Sequence, residues 1–404
     1  MHDGLRNYLT ITFGYWAFTI TDGAIRMLVV LYFHLLGYSP FEVAMLFLFY
    51  EFFGIVTNLV GGWLGARIGL NLTMHIGMSL QIIALLMLTV PDAWLSVAYV
   101  MAAQALSGIA KDLNKMSAKA SVKTLLPSDN DDQDRTLFKW VARLTGSKNA
   151  LKGAGFFIGA TLLELVGFRM ALALLAGMLF IVLMITAIKL PGGLGKMKSK
   201  PKFTQVFSSS SYINWLSAAR FFLFGSRDIW FVVALPVFMY EVLNWSFMQV
   251  GSYLALWIIG YGALQAAVPN LVRKQKPDGK SILIAAAALS VLPAGIAWLL
   301  STGQSAALIL TVGLAIFGII FAINSALHSY LIVAWSDQDR VSMNVGFYYM
   351  ANAGGRLVGT ILSGLIYQAH GLQGCLWWSS GFVIMASLLC LPLLKSASYS
   401  QHER

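Results

Sequence analysis

Long apolar runs, each near the length of a bilayer crossing, alternate with short polar breaks along the 404 residues of the chain. A helix needs about 20 consecutive apolar residues to span the hydrocarbon core. The pattern predicts twelve spans, at 9–36, 41–63, 73–90, 94–113, 145–167, 169–190, 211–240, 247–272, 281–300, 305–334, 341–368 and 372–394. The breaks are of two kinds. "GYSPF", "VPDAW", "LNWSF" and "STGQS" are short, outward and free of Lys and Arg, while the inward breaks are longer and basic. Positive charge marks the cytoplasmic side of an inserted helix, so both termini are expected in the cytoplasm. The first apolar run follows Asp3 and Arg6, exceeds a signal core and shows no small-residue cleavage site, which argues against a cleaved leader. The expected class is an all-α integral membrane protein.

The break "KLPGGLGKMKSKPKFTQVFSSSS", Lys189 to Ser211, has no apolar period and is rich in Gly, Pro, Lys and Ser. It reads as an exposed tether. It divides the chain into a six-helix bundle at 1–190, a cytoplasmic linker at 191–210 and a second six-helix bundle at 211–404. A weak internal repeat supports this division. "TDGAIRMLVVLYFHLLGYSPFEV" in span 1 resembles "RDIWFVVALPVFMYEVLNWSFMQV" in span 7, with Asp22 laid near Asp228 at one residue of slip.

Composition agrees: 58% of residues are hydrophobic and 11% charged, against about a quarter charged in soluble domains. The net charge of +11 is no nucleic-acid signal, because of 28 Lys and Arg only Arg169 falls on the outward side. Arg26, Arg220, Arg227 and Arg356 fall inside spans, and the rest lie at or near the cytoplasmic face. Cys375 and Cys390 are the only cysteines; fifteen residues apart on one helix, they are separated by about 22 Å and share neither a disulfide nor a soft atom.

The buried charges raise the functional question. In "AARFFLFGSRDIWFVVALPVF", Ala218 to Phe238, Arg220, Arg227 and Asp228 together cost about 8–10 kcal/mol to insert, and about a dozen strong hydrophobes return about 6 kcal/mol. Such charges face a wet cavity or find partners. Arg220 and Arg227 are two helical turns apart and share a face; Asp22 and Arg26 on span 1 are one turn apart. Lys111, Lys115, Lys119 and Lys123 recur every four residues past span 4, and Lys139, Arg143, Lys148 and Lys152 open span 5. Span 11 adds Arg356. A structural reading competes: Asp22 with Arg26, and Asp228 with Arg220 or Arg227, as ion pairs, with Lys119, Lys123 and Lys139 snorkelling to the interface. Against it stands an excess of deep cations, Arg26, Arg220, Arg227 and Arg356, over Asp22, Glu51 and Asp228. Guanidinium's planar donor fork suits phosphate or carboxylate. The residues thus point to a transporter of a small, multiply charged anion. Arg26, Arg220 and Arg227 are its expected core contacts, Lys111, Lys115, Lys148 and Lys152 its funnel, and Arg356 a clamp. Asp22, Glu51 and Asp228 are candidates for proton coupling or positioning, and Asn324 and His328 for orienting substrate, with packing as the alternative for each.

Other signals carry little. Gly155-x-x-x-Gly159 and Gly355-x-x-x-Gly359 read as helix-packing sites. "GGLGKMKSK" lacks the spacing of a phosphate loop, and "SDNDDQDR" lacks the Gly and Glu of a calcium loop. No metal cluster, cofactor motif or nucleophile elbow is present in the sequence, so no catalytic residue, metal or cofactor is expected and an intramembrane enzyme is disfavoured.

"GGWLGARIGLNLT" between spans 2 and 3 is similar to the loop signature G-x-L-x-D-R-x-G-R-K of major facilitator transporters: Gly62, Leu64, Arg67 and Gly69 match, while Ala66 replaces the Asp and Leu70-Asn71 the second basic pair. That resemblance implies twelve helices in two pseudo-symmetric bundles, with spans 1, 4, 7 and 10 lining a cavity between them. "FGYWAFTITDGAIRMLVVLYFHLLGYSPFEVAMLFLFYEFFGIVTNLVGGW", "LFKWVARLTGSKNALKGAGFF" and "AARFFLFGSRDIWFVVALPVF" resemble the ArsJ-type organoarsenical efflux permeases of that superfamily, a likeness covering most of the chain. It implies export of 1-arseno-3-phosphoglycerate across a bacterial inner membrane by alternating access, arsenate resistance, and a functional link to glyceraldehyde-3-phosphate dehydrogenase. An arsenite pump would need clustered thiolates, which two distant cysteines do not supply. An organic phosphate/phosphate exchanger is the alternative, and a proton-coupled drug exporter a third reading.

Overall fold

The computed structural model describes residues 2–38, 46–125, 133–196, 210–232, 234–245, 247–271, 277–337 and 340–394. Among them the regular secondary structure is all helical, as lipid requires of a segment with no water to satisfy its backbone. The elements are α1 (His2–Leu35), α2 (Leu48–Ile68), α3 (Leu70–Met87), a 3-10 turn η1 (Asp92–Trp94), α4 (Val97–Leu125), α5 (Gln133–Val166), α6 (Phe168–Lys189), α7 (Ser211–Phe231), α8 (Ala234–Glu241), α9 (Phe247–Leu271), α10 (Gly279–Leu300), α11 (Ala306–Ala334) and α12 (Val341–Cys390). α7 and α8 together make one span. Gly371, at φ 63°, divides α12 into two, giving twelve.

Helix ends follow local chemistry. Asp278 starts α10 by accepting from Ser281 N, with the Ser281 hydroxyl reaching back to the Asp278 backbone, a capping box. Pro236 has no amide to offer the carbonyl four residues back, which favours a break between α7 and α8. Gly69, at φ 106°, is the whole connection between α2 and α3, in a conformation L side chains rarely adopt. Its neighbour Leu70 donates its amide to Leu194 O at 2.7 Å.

Several helices outrun their predicted spans. α1 begins at His2, α4 runs on to Leu125 and α5 begins at Gln133. Their charged turns lower hydropathy without breaking the helix, so a hydropathy boundary falls short of the helix end. Among the described residues, eight stretches are long and apolar enough to cross a membrane on composition alone; α1, α2 and α4, which hold Asp22, Arg26, Glu51 and Lys111, are not among them. The calcium-like stretch falls mostly at 126–132, outside the described residues.

The chain divides into two compact units: Met1–Trp140 with Ser147–Phe207 and Ser336–Met350, and Val141–Gly146 with Ser208–Trp335 and Ala351–Arg404. In unit 1, α4 packs on α1, α2 and α3, and α6 on α1 and α3. Its core includes Leu28, Phe33, Leu85 and Phe168, with Tyr32 stacked on Phe168 at 4.0 Å. In unit 2, α11 packs on α7, α9 and α10, around a fully buried Trp230 edge-on to Phe317 and Trp257.

Both glycine motifs are helix contacts. A methyl at Gly155 would run into the carbonyl oxygen of Ile20, and one at Gly159 into that of Ala24. In unit 2, Gly355 and Gly359 stand in the same way against the carbonyl oxygens of Phe221 and Gly225. Matching these contacts makes Ile20 equivalent to Phe221, Ala24 to Gly225 and Arg26 to Arg227. Asp22 then corresponds to Leu223, so the repeat that paired Asp22 with Asp228 is out of register. Asp and Arg recur near the same height in both halves, and a match on residue type alone chose the wrong pair.

The loop signature is also clear in three dimensions. Ala66, at the place of the signature's Asp, is buried. Arg67 lies over the Trp63 ring at 5.1 Å. Gly62 lets the backbone of Ser342 and Gly346 approach, and the Ser342 hydroxyl donates to Gly62 O at 2.8 Å.

Candidate functional site

Unit 1 gathers charges from four helices. Gly23 on α1 and Gly155 on α5 bring those backbones together, and Lys152, one turn before Gly155, donates to Asp22 Oδ2 at 2.7 Å. Tyr50 on α2 donates its hydroxyl to Asp22 Oδ1 at 2.5 Å and accepts from Lys152 Nζ at 3.3 Å. Gly108 permits this, since any Cβ there would meet the Tyr50 backbone. Lys111 on α4 lies 3.8 Å from the Tyr50 ring centroid and Arg26 4.9 Å, a cation–π arrangement on one ring. Both reach Glu51: Arg26 Nη2 lies 3.4 Å from Oε1 and Lys111 Nζ 3.8 Å from Oε2. Lys115 donates to Asp112 Oδ1 at 2.5 Å and sits over the Tyr349 ring at 4.4 Å. Lys148, one turn before Lys152, is half-buried.

This corrects three expectations. Asp22 does not pair with Arg26: its partners are Lys152 and Tyr50, and Arg26 turns to Glu51. Lys119 does not snorkel; it is 2% exposed. The count of deep carboxylates was one short, because Asp112, 1% exposed, stands between Lys111 and Lys115 and neutralises part of that row. Asp112 and Tyr50 escaped the sequence reading for one reason. Each sits beside a louder residue, in "AKDLNK" and "FYEFF". The available signal was a polar group on a helix face that already carried charge.

Unit 2 gathers guanidinium groups around one carboxylate. Asp228, fully buried, accepts from Arg227 Nε at 2.7 Å on Oδ1 and from Arg356 Nε at 3.0 Å on Oδ2. Here the ion-pair reading holds for Arg227, and Arg356 joins it across 128 residues of chain. Arg220, 2% exposed, donates Nε to Asn352 Oδ1 at 2.8 Å and Nη1 to the Ser325 hydroxyl at 3.2 Å. Gln265 donates to the same hydroxyl at 3.0 Å, fixing its direction. The shared face predicted for Arg220 and Arg227 is present: both lie against the Phe224 ring, at 3.7 and 5.0 Å. Asn324, beside Ser325 in the chain, is buried with neither end of its amide hydrogen-bonded, and His328 is buried with Nδ1 unpartnered, among the described residues. Asn352, Ser325, Gln265 and Phe224 are further additions to the predicted set; their chemistry is ordinary, and only the approach of α9, α11 and α12 gives them a role.

Among the described residues, twelve helical spans with charge held inside them are the frame of a polytopic membrane protein. The profile of the Major Facilitator Superfamily matches residues 11–332, and the chain belongs to that superfamily. No curated protein is significantly similar in sequence. Among solved structures, the human organic anion transporter MFSD10 (TETRAN) is 15% identical, with 96% of this chain and 99% of that one covered and a TM-score of 0.75. A bacterial homologue of the iron transporter ferroportin, in an outward-facing state, has the same identity, coverage and TM-score. The E. coli fucose:proton symporter FucP is 10% identical, with 96% and 98% covered and a TM-score of 0.73. At these identities the likeness is one of fold.

Proposed function

We propose that the protein exports an anionic, phosphorylated organoarsenical, 1-arseno-3-phosphoglycerate, from the bacterial cytoplasm by alternating access, with both termini on the cytoplasmic side. One observation carries the reading: in unit 2, Arg220, Arg227 and Arg356 gather with Asp228 as the carboxylate of the cluster. Asn352 and Ser325 accept from Arg220 through neutral oxygens, which orient its guanidinium. A tetrahedral oxyanion, phosphate or arsenate, accepts two parallel bonds from such a fork. Within unit 1, Arg26, Lys111, Lys115, Lys148 and Lys152 are a second set of cations suited to an oxyanion. There Arg26, Lys111, Lys115 and Lys152 each have an acidic and an aromatic neighbour, so an incoming anion competes with Asp22 and Glu51 for Lys152, Lys111 and Arg26. That competition gives Asp22 and Glu51 a coupling role: a carboxylate displaced from its cation is ready to take a proton. Asp228, bridged by two arginines, is a positioning group.

The test uses everted membrane vesicles containing the protein, supplied with arsenate, glyceraldehyde 3-phosphate, NAD and glyceraldehyde-3-phosphate dehydrogenase. Arsenic should accumulate only when all four are present, and Arg220→Gln and Arg227→Gln should each abolish accumulation in protein that still inserts. Uptake of phosphoglycerate without arsenate would replace this reading with organic phosphate exchange. Undiminished accumulation in both variants would end it.

A further inference from the structure

Outside both charge clusters, unit 1 carries a groove of about 610 Å³ between the first turns of α1 and the last turns of α6. Its composition is layered. Arg6 on the first turn of α1 and Lys189 on the last turn of α6 line its outer end. Leu5 stands beside Arg6 at that end, and Leu9 and Phe13, one and two turns further along α1, with Thr10 and with Ile185, one turn back along α6, line the remainder. Seven residues of helix separate Arg6 from Phe13, about 10 Å of depth. Both cations are exposed. Leu9 and Phe13 keep 50% and 48% of their surface open. Thr10, the other polar side chain of the groove, donates its hydroxyl to Arg6 O at 2.8 Å, which leaves the two cations as the groove's charged recognition groups.

We infer that this groove is a site for an anionic glycerophospholipid of the leaflet that the basic ends of α1 and α6 face. The headgroup phosphate bridges Arg6 and Lys189, and an acyl chain lies along Leu9, Phe13 and Ile185. Cation layer over apolar layer matches the lipid's own order of phosphate over hydrocarbon. Basic pockets between membrane helices select anionic headgroups in this way. The contrast is α11, whose exposed stripe of Leu308, Val312, Ile316 and Ile319 belongs to a helix with no Lys or Arg and offers lipid nothing but hydrocarbon contact. The inference is independent of what the protein transports.

Purified full-length protein in detergent, titrated with phosphatidylglycerol or phosphatidylcholine of identical acyl chains and read by native mass spectrometry, tests it. Wild type should retain phosphatidylglycerol over phosphatidylcholine by about thirtyfold, from two cations near the headgroup. Arg6→Gln with Lys189→Gln should bring the two lipids level, and Arg6→Lys with native Lys189 should keep most of the preference. Leu9→Asn with Phe13→Ser should weaken both lipids. Unfolding temperature in lipid-free detergent identifies any variant that has lost its fold. Equal retention of the two lipids by wild type, or a preference that survives in folded double-Gln protein, would overturn the assignment and leave annular lipid only.

Discussion

Arg26 in unit 1 and Arg227 in unit 2 stand at equivalent places above matching glycine contacts, yet their surroundings differ. Arg26 finds its carboxylate, Glu51, on another helix and shares it with Lys111. Arg227 finds Asp228 at the next position of its own helix and shares it with Arg356. In unit 1, Asp22, Glu51 and Asp112 are interleaved with Arg26, Lys111, Lys115 and Lys152. In unit 2, three guanidiniums gather with one carboxylate. One packing frame therefore supports charges interleaved over four helices in one unit and guanidiniums gathered on a shared carboxylate in the other.

The sharpest way to break this comparison is to remove the carboxylate that Arg227 and Arg356 share. Asp228→Ala leaves buried guanidiniums uncompensated and should destabilise the protein by about 3–5 kcal/mol, read as unfolding in detergent. Glu51→Ala, in the interleaved network with partly exposed partners, should cost less than half as much. Equal losses would mean the two clusters are alike.

Arg220→Lys comes next. It keeps the charge and discards the fork, so apparent transport affinity should fall by about ten- to a hundredfold, the worth of a charge-assisted bond, in a concentration series on vesicles. The matched pair Gly155→Ala and Gly355→Ala should each cost about 1–3 kcal/mol, because the added methyl meets a backbone carbonyl in both units. A twofold or greater disparity between them would undo the register that equates Arg26 with Arg227. Tyr50→Phe keeps the ring under Arg26 and Lys111 but removes the hydroxyl from Asp22, for about 1 kcal/mol, since Lys152 still holds the carboxylate.

The smallest effect lies outside the membrane. Asp92 in η1 accepts from the Tyr32 hydroxyl at 2.7 Å and from Arg169 at 3.0 Å. The Tyr32 hydrogen bond and, after the opposing effect of desolvation, the Arg169 charge hold its carboxyl below the ordinary 3.8. A carboxyl depressed by folding contributes fully above its ordinary value and loses that contribution as pH falls through the lower folded one. Wild type and Asp92→Asn should therefore differ in unfolding temperature by a constant small amount from about pH 8 to 5 and converge only as pH falls through the depressed folded value.

Much of this protein was legible before any coordinates. The apolar runs follow from bilayer thickness, whereas the Asp278 cap and the break before Pro236 inside the span predicted at 211–240 were seen only in the structure. Arg220 and Arg227 fall on one face because seven residues make two turns. The misreadings share a cause as well. Asp22 was set beside Arg26, Lys119 was placed at the interface and Asp112 went unseen, because helical periodicity says which side chains share a face but not what that face meets.

The chain by itself therefore determined that helices form, roughly where they end, and which cations enter the membrane, since each of these is settled within a few turns of one helix. The pairing of Lys152 with Asp22 and of Arg356 with Asp228, and the neutral cradle that Asn352 and Ser325 make for Arg220, were decided by tertiary structure alone. Those partners lie more than a hundred residues apart and meet only because small residues let particular helices touch. The chemistry of a buried charge depends on the group that stands opposite it.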